Sequence, residues 1–394
     1  MQNENQNVPK KTSRENKRLI TVVFVIAVVI VLSGLMISKF GGTDNPGETK
    51  AVTAVEGETN NKSEISQHGS GFPLSFSSND IVDIEAVGSN VYVVSNEMLF
   101  CISSSGKLLF SQVINYSEPV IKTNGNYGLV FDRLSGKYVV LSKKAVAYSG
   151  ISLDSSQIIT AAVSSDGSYA IASRSGEAAS ILTYYDKNGN EKFSWACTKD
   201  HIVSVAISSN GQNLACAALS ASDGEIETKV YLLNIYSDET KFEYTVKNSA
   251  AIDIHFASLN RLLLLCNDKR LLISSKGEGS IVSEEKYASS LLDSYCDNDG
   301  YCVTLTSKFG SFGGYEIKNY SPDNSVNYAF ETDESVTDIL CVGKRSCILT
   351  ETEVIFVNSF GKESKRLKFE TAGLGMCFAD GKVYCYSLGT LYKG

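Results

Sequence analysis

Four aspartates at matching positions of a repeated pattern are the first candidates for chemistry in this sequence. Each lies early in a short apolar run that is typical of a strand; they are Asp83, Asp253, Asp293 and Asp338. If they converge in one accessible channel with perturbed pKa values, they favour a hydrolase or oxidoreductase site. We interpret their recurrence instead as a structural turn or strand-edge role that is repeated along the chain.

The three histidines do not form a metal or catalytic set. His68 lies in a polar stretch, His201 precedes a strand beside Asp200, and His255 lies in the strand AIDIHF. Their spacing is not that of a metal site, and no G-x-S-x-G, H-E-x-x-H or Gly-rich phosphate loop is present. The sequence therefore predicts no catalytic residue, no metal and no cofactor.

The run Asp297-Asn298-Asp299-Gly300 resembles the start of a calcium loop. Such a loop requires a glutamate at its twelfth position, where this chain has Lys308. We therefore expect a hairpin turn, because Asp and Asn tolerate left-handed backbone conformations.

Six of the ten cysteines fall in three pairs that flank equivalent turns. The pairs are Cys296/Cys302, Cys341/Cys347 and Cys377/Cys385. None forms C-x-x-C, which argues against zinc or thioredoxin-like chemistry. A three-residue turn would place each pair directly across a hairpin, where Cβ atoms approach to about 5 Å. Outside the cytoplasm these pairs are candidate disulfides, and the alternative is that each cysteine is a small buried apolar residue.

Two long loops are candidate partner-binding sites. The loop 220–228 is acidic, and the loop 308–314 presents aromatic side chains among glycines. Aromatic residues are enriched at interface hot spots, so we expect this face to bind a protein or glycan partner. The residues are Asp223, Glu225, Glu227, Phe309, Phe312 and, next to the second loop, Tyr315.

The elements that position these residues are short strands in a repeat of about forty residues. After residue 73, apolar runs alternate with Gly/Asn/Asp/Ser turns in a fixed order. The repeats begin near residues 81, 119, 159, 202, 250, 290, 336 and 372. This spacing predicts an all-β propeller of four-stranded blades, with eight blades and seven as the alternative.

The two ends of the repeat region also predict a closed ring. The last repeat has room for three strands, and residues 73–77 can supply the missing outer strand. A β-sandwich has similar strands and turns but does not predict a turn order that recurs at this spacing.

Residues 185–195, YDKNGNEKFSW, resemble the strand–turn–strand unit of quinoprotein-like propeller repeats. The turns SSDG at 164–167 and SSNG at 208–211 resemble those of WD-type and Tol-type propellers. The whole layout is similar to an uncharacterised family of single-pass, membrane-anchored β-propellers of Gram-positive bacteria. The resemblance implies a propeller and transfers no active site. Because Trp195 is the one tryptophan, a quinone-dependent dehydrogenase is disfavoured.

Residues 19–38 form an uncharged apolar run of twenty residues, which as a helix spans about 30 Å. Five basic residues precede it and Lys39 follows it, so we expect the N-terminus to be cytoplasmic. The alternative is a cleaved signal peptide. The predicted regions are a basic cytoplasmic tail at 1–18, a transmembrane helix at 19–38, a flexible extracytoplasmic linker at 39–72 and the propeller at 73–394.

Charge excludes one class of partner. The net charge is −8, and residues 1–18 contribute +3 from five basic and two acidic side chains, so the rest carries −11. Nucleic-acid binding depends on neutralising phosphates with Lys and Arg, so we expect none. The sequence favours a non-enzymatic protein- or glycan-binding or scaffolding module at the cell surface. The alternative is an extracytoplasmic hydrolase or oxidoreductase with its site in the central channel of the propeller.

Overall fold

Short apolar runs of Val, Ile, Leu and Tyr, each ended by a Gly, Asn or Asp turn, pair as antiparallel strands throughout the described chain. The computed structural model describes residues 65–67, 71–76, 81–143, 145–151, 156–222, 224–237, 240–308 and 313–394. The predicted tail and membrane helix lie outside these residues. Within the described ranges, no helix is long and apolar enough to cross a membrane.

The strands form eight antiparallel sheets, which we number as blades 1–8 and describe from the innermost strand outward. Blade 1 contains β3 (Ile81–Val87), β4 (Asn90–Ser95), β5 (Met98–Ile102) and β6 (Leu108–Val113). Blade 2 contains β7 (Pro119–Asn124), β8 (Tyr127–Asp132), β9 (Lys137–Ser142) and β10 (Val146–Ile151). Blade 3 contains β11 (Ile158–Val163), β12 (Tyr169–Ser173), β13 (Ser180–Tyr185) and β14 (Glu191–Cys197). Blade 4 contains β15 (His201–Ile207), β16 (Asn213–Ser222), β17 (Glu225–Asn234) and β18 (Thr240–Lys247).

The second half of the ring repeats the same order. Blade 5 contains β19 (Ala251–Ser258), β20 (Arg261–Cys266), β21 (Lys269–Ser274) and β22 (Ser280–Lys286). Blade 6 contains β23 (Leu291–Cys296), β24 (Cys302–Ser307), β25 (Tyr315–Tyr320) and β26 (Val326–Thr332). Blade 7 contains β27 (Val336–Val342), β28 (Arg345–Thr350), β29 (Glu353–Val357) and β30 (Glu363–Lys368). Blade 8 contains β31 (Gly373–Ala379), β32 (Lys382–Ser387), β33 (Thr390–Lys393), β2 (Leu74–Phe76) and β1 (Ile65–Gln67).

The eight-bladed prediction is confirmed. The innermost strands begin within one residue of the predicted repeat starts. Neighbouring innermost strands contact each other at seven of the eight junctions between blades, among them the junction of β31 in the last blade with β3 in the first. The first strands of the blades therefore line a common axis.

Strand β2 closes the ring, as the sequence predicts for residues 73–77. It pairs antiparallel with β33, with Leu74 opposite Leu391, and the Phe76 N–H donates to the Gly389 carbonyl at 2.7 Å. Both leucine side chains are fully buried. Strand β1, which lies within the predicted linker segment 39–72, pairs with the free edge of β2 and gives this blade a fifth strand.

The core lies between the blades. In β4, Val91 and Val93 pack toward blade 8, whereas Tyr92 and Val94 pack toward blade 2. Successive side chains of a strand point to opposite faces of its sheet, so a strand buried on both faces is continuously apolar. This is why the second strand of a blade is apolar at nearly every position.

A β-bulge recurs at the start of seven of the eight innermost strands. In six of them the register shifts between the first and third residues, for example between Ile81 and Asp83, and in β15 it shifts one residue later, between Ile202 and Ser204. A bulge leaves its extra residue outside the pairing ladder. The residue at the bulge is therefore unpaired, and the residue directly after it turns toward the axis.

Candidate functional site

The channel along the propeller axis contains a cavity of about 490 Å³. Its walls include Lys122 of blade 2, Thr160 of blade 3, Ser204 of blade 4, and Asp253 and His255 of blade 5. The fourth residue of an innermost strand, such as Ile84 or Ile254, is buried between blades. Because side chains alternate, the third and fifth residues face the channel.

The four predicted aspartates all occupy the third position of their strands. The residues that directly follow a bulge are Asp83, Thr160, Ser204, Asp253, Asp293, Asp338 and Gly375. The innermost strand is the free edge of its sheet, so some of its N–H groups lack a ladder partner. The carboxylates of Asp83, Asp253 and Asp293 each accept a hydrogen bond from the N–H of the next residue, at 2.7–2.9 Å.

The same position also connects neighbouring blades. Asp338 Oδ2 accepts a 2.8 Å hydrogen bond from the Met376 N–H, and Ser204 Oγ accepts one from the Ile254 N–H at 3.2 Å. In both cases the donor is the fourth residue of the next innermost strand. These hydrogen bonds agree with the interpretation that the aspartates recur for a structural reason, since they satisfy strand-edge N–H groups within and between blades.

These carboxylates also share one side of the channel. Burial raises the pKa of Asp83 to about 6, and burial together with Asp293 and Asp83 raises the pKa of Asp338 to about 7. Burial and the charge of Asp83 raise the pKa of Glu85, at the fifth position, to about 8. Burial raises the pKa of Asp293 as well. At neutral pH this side of the channel is therefore partly protonated.

Asp253 differs from the other aspartates because it has charged and polar partners. His255 Nε2 lies 3.1 Å from Asp253 Oδ2, and the Ser204 hydroxyl donates to Asp253 Oδ1. Burial raises the pKa of this carboxyl, but His255, Lys122 and Ser204 outweigh burial and hold it well below the usual range. Burial lowers the pKa of His255, and the Asp253 carboxylate more than offsets this and raises it.

This cluster does not match a serine nucleophile site. In a Ser-His-Asp triad the imidazole stands between the hydroxyl and the carboxylate and removes the hydroxyl proton. Here the carboxylate of Asp253 stands between Ser204 and His255 and bonds each through a different oxygen. The arrangement fixes the orientation of three side chains and gives Ser204 no base from His255.

Exposed apolar side chains of blades 1, 5, 6 and 8 lie at the mouth of the channel. Strands alternate in direction within a blade, so the starts of the innermost strands, the second-to-third-strand loops and the inter-blade connections share one face, which we call the entry face. Four of the seven unpaired bulge residues there are apolar and about half exposed, namely Val82, Ile252, Leu292 and Leu374, and we call these four the apolar collar. Leu134, Ile226 and Leu388 are similarly exposed on loops of the same face. Contiguous exposed apolar surface on a soluble domain marks an interaction site.

Only part of the two predicted partner loops lies within the described residues. Glu225 and Glu227 lie on the β16–β17 hairpin, whose ten-residue strands extend beyond the rest of blade 4. Glu227 stands opposite Lys247 of β18. Tyr315 is half-buried and packs between blades 6 and 7. Asp223, Phe309 and Phe312 lie outside the described residues.

The strand register places one of the three predicted cysteine pairs directly across its hairpin and offsets the other two. Cys296 lies directly opposite Cys302, so the predicted cross-strand geometry is confirmed for this pair. It is wrong for the others, because Cys341 lies opposite Ser346 and Cys377 lies opposite Tyr384. An offset of one residue places the two thiols on opposite faces of the sheet. All ten cysteines are free thiols in this structure.

The remaining candidates have structural roles. Asp297 and Gly300 form the predicted hairpin turn, in which Gly300 donates to the Asp297 carbonyl at 3.1 Å and has a positive φ of 84°. Asp297 Oδ2 accepts from the Gly343 N–H of blade 7 at 2.8 Å. His201 is exposed at the start of β15, and His68 lies outside the described residues. Among the residues described, no group of three or more His, Cys, Asp or Glu side chains could hold a metal ion.

Glu85 and Lys122 are channel residues that the sequence reasoning missed. Both stand one residue past a buried aliphatic, Ile84 or Ile121, in an innermost strand. Glu85 also accepts a 3.3 Å hydrogen bond from the Thr123 hydroxyl of the next blade. The signal that could have found them is a charged residue at the centre of an apolar strand.

Comparisons with solved structures show the same fold at low sequence identity. BamB from Moraxella catarrhalis has a TM-score of 0.53 and 13% identity, and the match covers 84% of this chain and 99% of that chain. Sqt1 from Saccharomyces cerevisiae has a TM-score of 0.56 and 13% identity, with 80% and 95% covered. Apo AztD from Citrobacter koseri has a TM-score of 0.52 and 8% identity, with 79% and 96% covered.

Comparison at the sequence level gives one further finding. No curated protein matches the chain. A family model described as "Family of unknown function (DUF5711)" matches residues 56–388.

Proposed function

Because the chain belongs to the DUF5711 family, a family of unknown function, its role has to be argued from its own residues, and we propose that it is a non-enzymatic binding module whose entry face holds a partner protein. The observation that carries this proposal is the apolar collar around an acidic channel. The collar residues Ile252 and Leu292 are about half exposed beside the channel-facing Asp253 and Asp293.

The geometry favours a protein partner with a particular surface. Burial of apolar side chains stabilises an interface, and complementary charges make it specific for one partner. The collar offers four aliphatic side chains, and the channel behind it offers Asp83, Glu85, Asp293 and Asp338. A partner that fits presents apolar side chains around a basic Lys or Arg. A glycan partner is less favoured, because the collar contains no aromatic ring on which a sugar could stack.

We propose an extracytoplasmic location with a single membrane anchor. This proposal is supported by the uncharged run at residues 19–38 and by the basic residues that precede it. Protease added to intact cells should degrade the propeller while leaving cytoplasmic markers intact. A propeller protected until the cells are lysed would contradict this topology.

Site-specific photo-crosslinking in the native cell tests the binding surface. A photoreactive residue at Leu292 or Ile252 should crosslink a partner, whereas one at Phe360 or Tyr236, on the opposite face of the propeller, should not. Phe360 and Tyr236 are 82% and 77% exposed, so they are more accessible controls than the collar itself. Equal crosslinking from both faces would contradict the proposal.

The matched variants sharpen this test. The double variant Leu292→Ser/Ile252→Ser should weaken binding of the identified partner by about tenfold or more, because each truncation removes interface contacts worth about 1 kcal/mol. The double variant Phe360→Ser/Tyr236→Ser should bind normally. If the crosslinked partner is a glycan, the protein-partner proposal fails and the surface assignment stands.

One observation favours a second candidate, a hydrolase in the channel. Asp338 and Glu85 have raised pKa values of about 7 and 8, which suit a general acid, whereas Asp253 stays ionised. Under this hypothesis Asp338→Asn should abolish turnover of a substrate and leave crosslinking at Leu292 intact. Screening the purified propeller against glycoside, ester and peptide substrates provides the readout.

A further inference from the structure

Cys296 and Cys302 face each other at the end of the first hairpin of blade 6. The next pair of the hairpin, Asp297 and Tyr301, carries the ladder hydrogen bond, from the Asp297 N–H to the Tyr301 carbonyl at 2.9 Å. Hydrogen-bonded and non-hydrogen-bonded pairs alternate in an antiparallel ladder. The cysteines therefore occupy a non-hydrogen-bonded pair, in which side chains approach most closely.

A buried cation stands beside this pair. Arg270 is 1% exposed, and its guanidinium carbon lies 3.5 Å from the centre of the Tyr320 ring. Among the described residues, its Nε and Nη1 atoms have no hydrogen-bond partner. Glu285 lies opposite Arg270 in the neighbouring strand and accepts a hydrogen bond from the Tyr320 hydroxyl, so it does not satisfy the Nε and Nη1 atoms. Because unsatisfied buried polar atoms are costly, a thiolate at Cys302, which lies opposite Tyr320, would add a second negative charge on this side of the guanidinium. The facing Cys296 thiol lowers the pKa of Cys302, burial opposes this, and Arg270 lowers it further.

The two thiols differ in access. Cys302 is fully buried, whereas Cys296 is half-buried and lines the channel cavity. A small molecule in the channel therefore reaches Cys296 first. This division resembles the roles of an attacking thiol and a resolving thiol in thiol–disulfide exchange.

We propose that Cys296 and Cys302 form a thiol–disulfide exchange site that reacts with a low-molecular-weight disulfide through the channel and closes as a cross-strand disulfide. The site is independent of partner binding at the collar. It assigns a distinct chemistry to one of the three cysteine pairs. The other eight cysteines are buried and take no part in this chemistry.

The reaction balances with the disulfide R–S–S–R as oxidant. The Cys296 sulfur attacks one sulfur of R–S–S–R, the S–S bond breaks, and RS⁻ leaves and takes up the proton lost by Cys296. The Cys302 sulfur then attacks the Cys296 sulfur of the mixed disulfide, the mixed S–S bond breaks, and the second RS⁻ leaves and takes up the proton given up by Cys302. The two cysteines lose two electrons in total, and the oxidant is reduced to two thiols.

The test is mass spectrometry of the folded, full-length protein after exposure to hydroxyethyl disulfide, with oxidised glutathione as the bulkier probe. Trypsin should release residues 287–308 as one peptide that contains both cysteines and no others. We expect this peptide to lose two hydrogens and resist alkylation, while the peptides that carry Cys341 and Cys377 keep reactive thiols after denaturation. Retention of both thiols in 287–308 at saturating probe would overturn the proposal.

Two variants separate the roles of the thiols. Cys302→Ser should trap Cys296 as a mixed disulfide, seen as addition of one hydroxyethylthio group to the peptide 287–308. Cys377→Ser is the matched control, because Cys377 is also buried in the first hairpin of its blade but lies opposite Tyr384, and it should oxidise as the natural protein does. If Cys302→Ser does not fold, the proposal is still tested in the natural protein by comparing alkylation of the peptide 287–308 with alkylation of the peptides that carry Cys341 and Cys377. Loss of crosslinking at the collar would leave these results unchanged, so the two proposals fail separately.

Discussion

The Asp338 carboxylate accepts a 2.8 Å hydrogen bond from the Met376 backbone N–H, and this bond joins the innermost strands of two neighbouring blades. The donor lies on the free edge of β31, where no strand can pair with it. Asp338 thus serves as an inter-blade link as well as a member of the acidic side of the channel.

This link predicts a difference between two substitutions. Asp338→Ala leaves the Met376 N–H without a partner and should lower the free energy of unfolding by about 1–2 kcal/mol at pH 5, where repulsion among the carboxyls is weak. Asp338→Asn keeps an acceptor oxygen and should cost less than half as much. Urea denaturation of both variants measures the difference, and equal losses would show that the hydrogen bond does not matter.

The acidic side of the channel predicts how stability depends on pH. Asp83, Asp338 and Glu85 have pKa values of about 6, 7 and 8 in the folded protein, above their ordinary values of 3.8 and 4.5. Between about pH 4 and pH 8 the folded state therefore binds more protons than the unfolded chain, and the free energy of unfolding falls as pH rises. The melting temperature should be lower at pH 8 than at pH 5.

Asp338→Asn is the matched variant for this pH dependence. It removes one of the three carboxyls with a raised pKa, so the free energy of unfolding should fall less steeply as pH rises. At pH 8 the variant should be more stable by about 1–2 kcal/mol, a figure that is reduced for solvent screening. His255 adds to the same trend, because its raised pKa means that its pairing with Asp253 is lost as pH rises. A melting temperature that is flat from pH 5 to pH 8 in the natural protein would falsify the electrostatic description.

Ring closure predicts a large loss of stability when Leu74, which precedes the first repeat in the sequence, is truncated. Leu74→Ala should lower the free energy of unfolding by about 3 kcal/mol, because it leaves a cavity in the fully buried contact with Leu391. Leu109→Ala is the control, since Leu109 is 44% exposed on an outer strand, and it should change stability by less than about 0.5 kcal/mol. Chemical denaturation measures both, and a mild effect at Leu74 would mean that β2 is dispensable for closure.

We expect the fold to tolerate removal of the buried charge of Arg270 when the side-chain volume is kept. Arg270→Met removes the unsatisfied Nε and Nη1 atoms but also the contact with the Tyr320 ring, and these effects oppose each other. The free energy of unfolding should change by less than about 1 kcal/mol, whereas Arg270→Ala should cost about 2–3 kcal/mol because it leaves a cavity. Oxidation of Cys296 and Cys302 should slow in Arg270→Met, which distinguishes an electrostatic role from a purely packing one.

The architecture was predictable because its signal is repeated eight times. A turn order that recurs every forty residues survives weak similarity in any one blade, and the short final repeat indicates where the ring must close. The aspartates at the third position were visible for the same reason, and the structural role proposed for them agrees with their hydrogen bonds.

The site was less predictable because it depends on shifts of a single residue. Val82, Ile252 and Leu292 look like core strand residues, and only the bulge turns them outward. Cys341 and Cys347 have the same sequence spacing as Cys296 and Cys302, but the two-residue turn at Gly343 and Lys344 changes the partner of each strand residue by one. Neither shift alters the apolar pattern of the sequence.

The closure of blade 8 also determines how the propeller bears a mechanical load. Any pull transmitted along the chain from the N-terminal side reaches β1 and β2 before it reaches a blade that is continuous in sequence. β2 is paired with β33 over Leu74 and Ser75 only, so the closing strand is the shortest link in the ring. Strain applied through the N-terminal segment would therefore open the seam between β2 and β33 first, while blades 1–7, whose four strands are consecutive in the chain, stay intact.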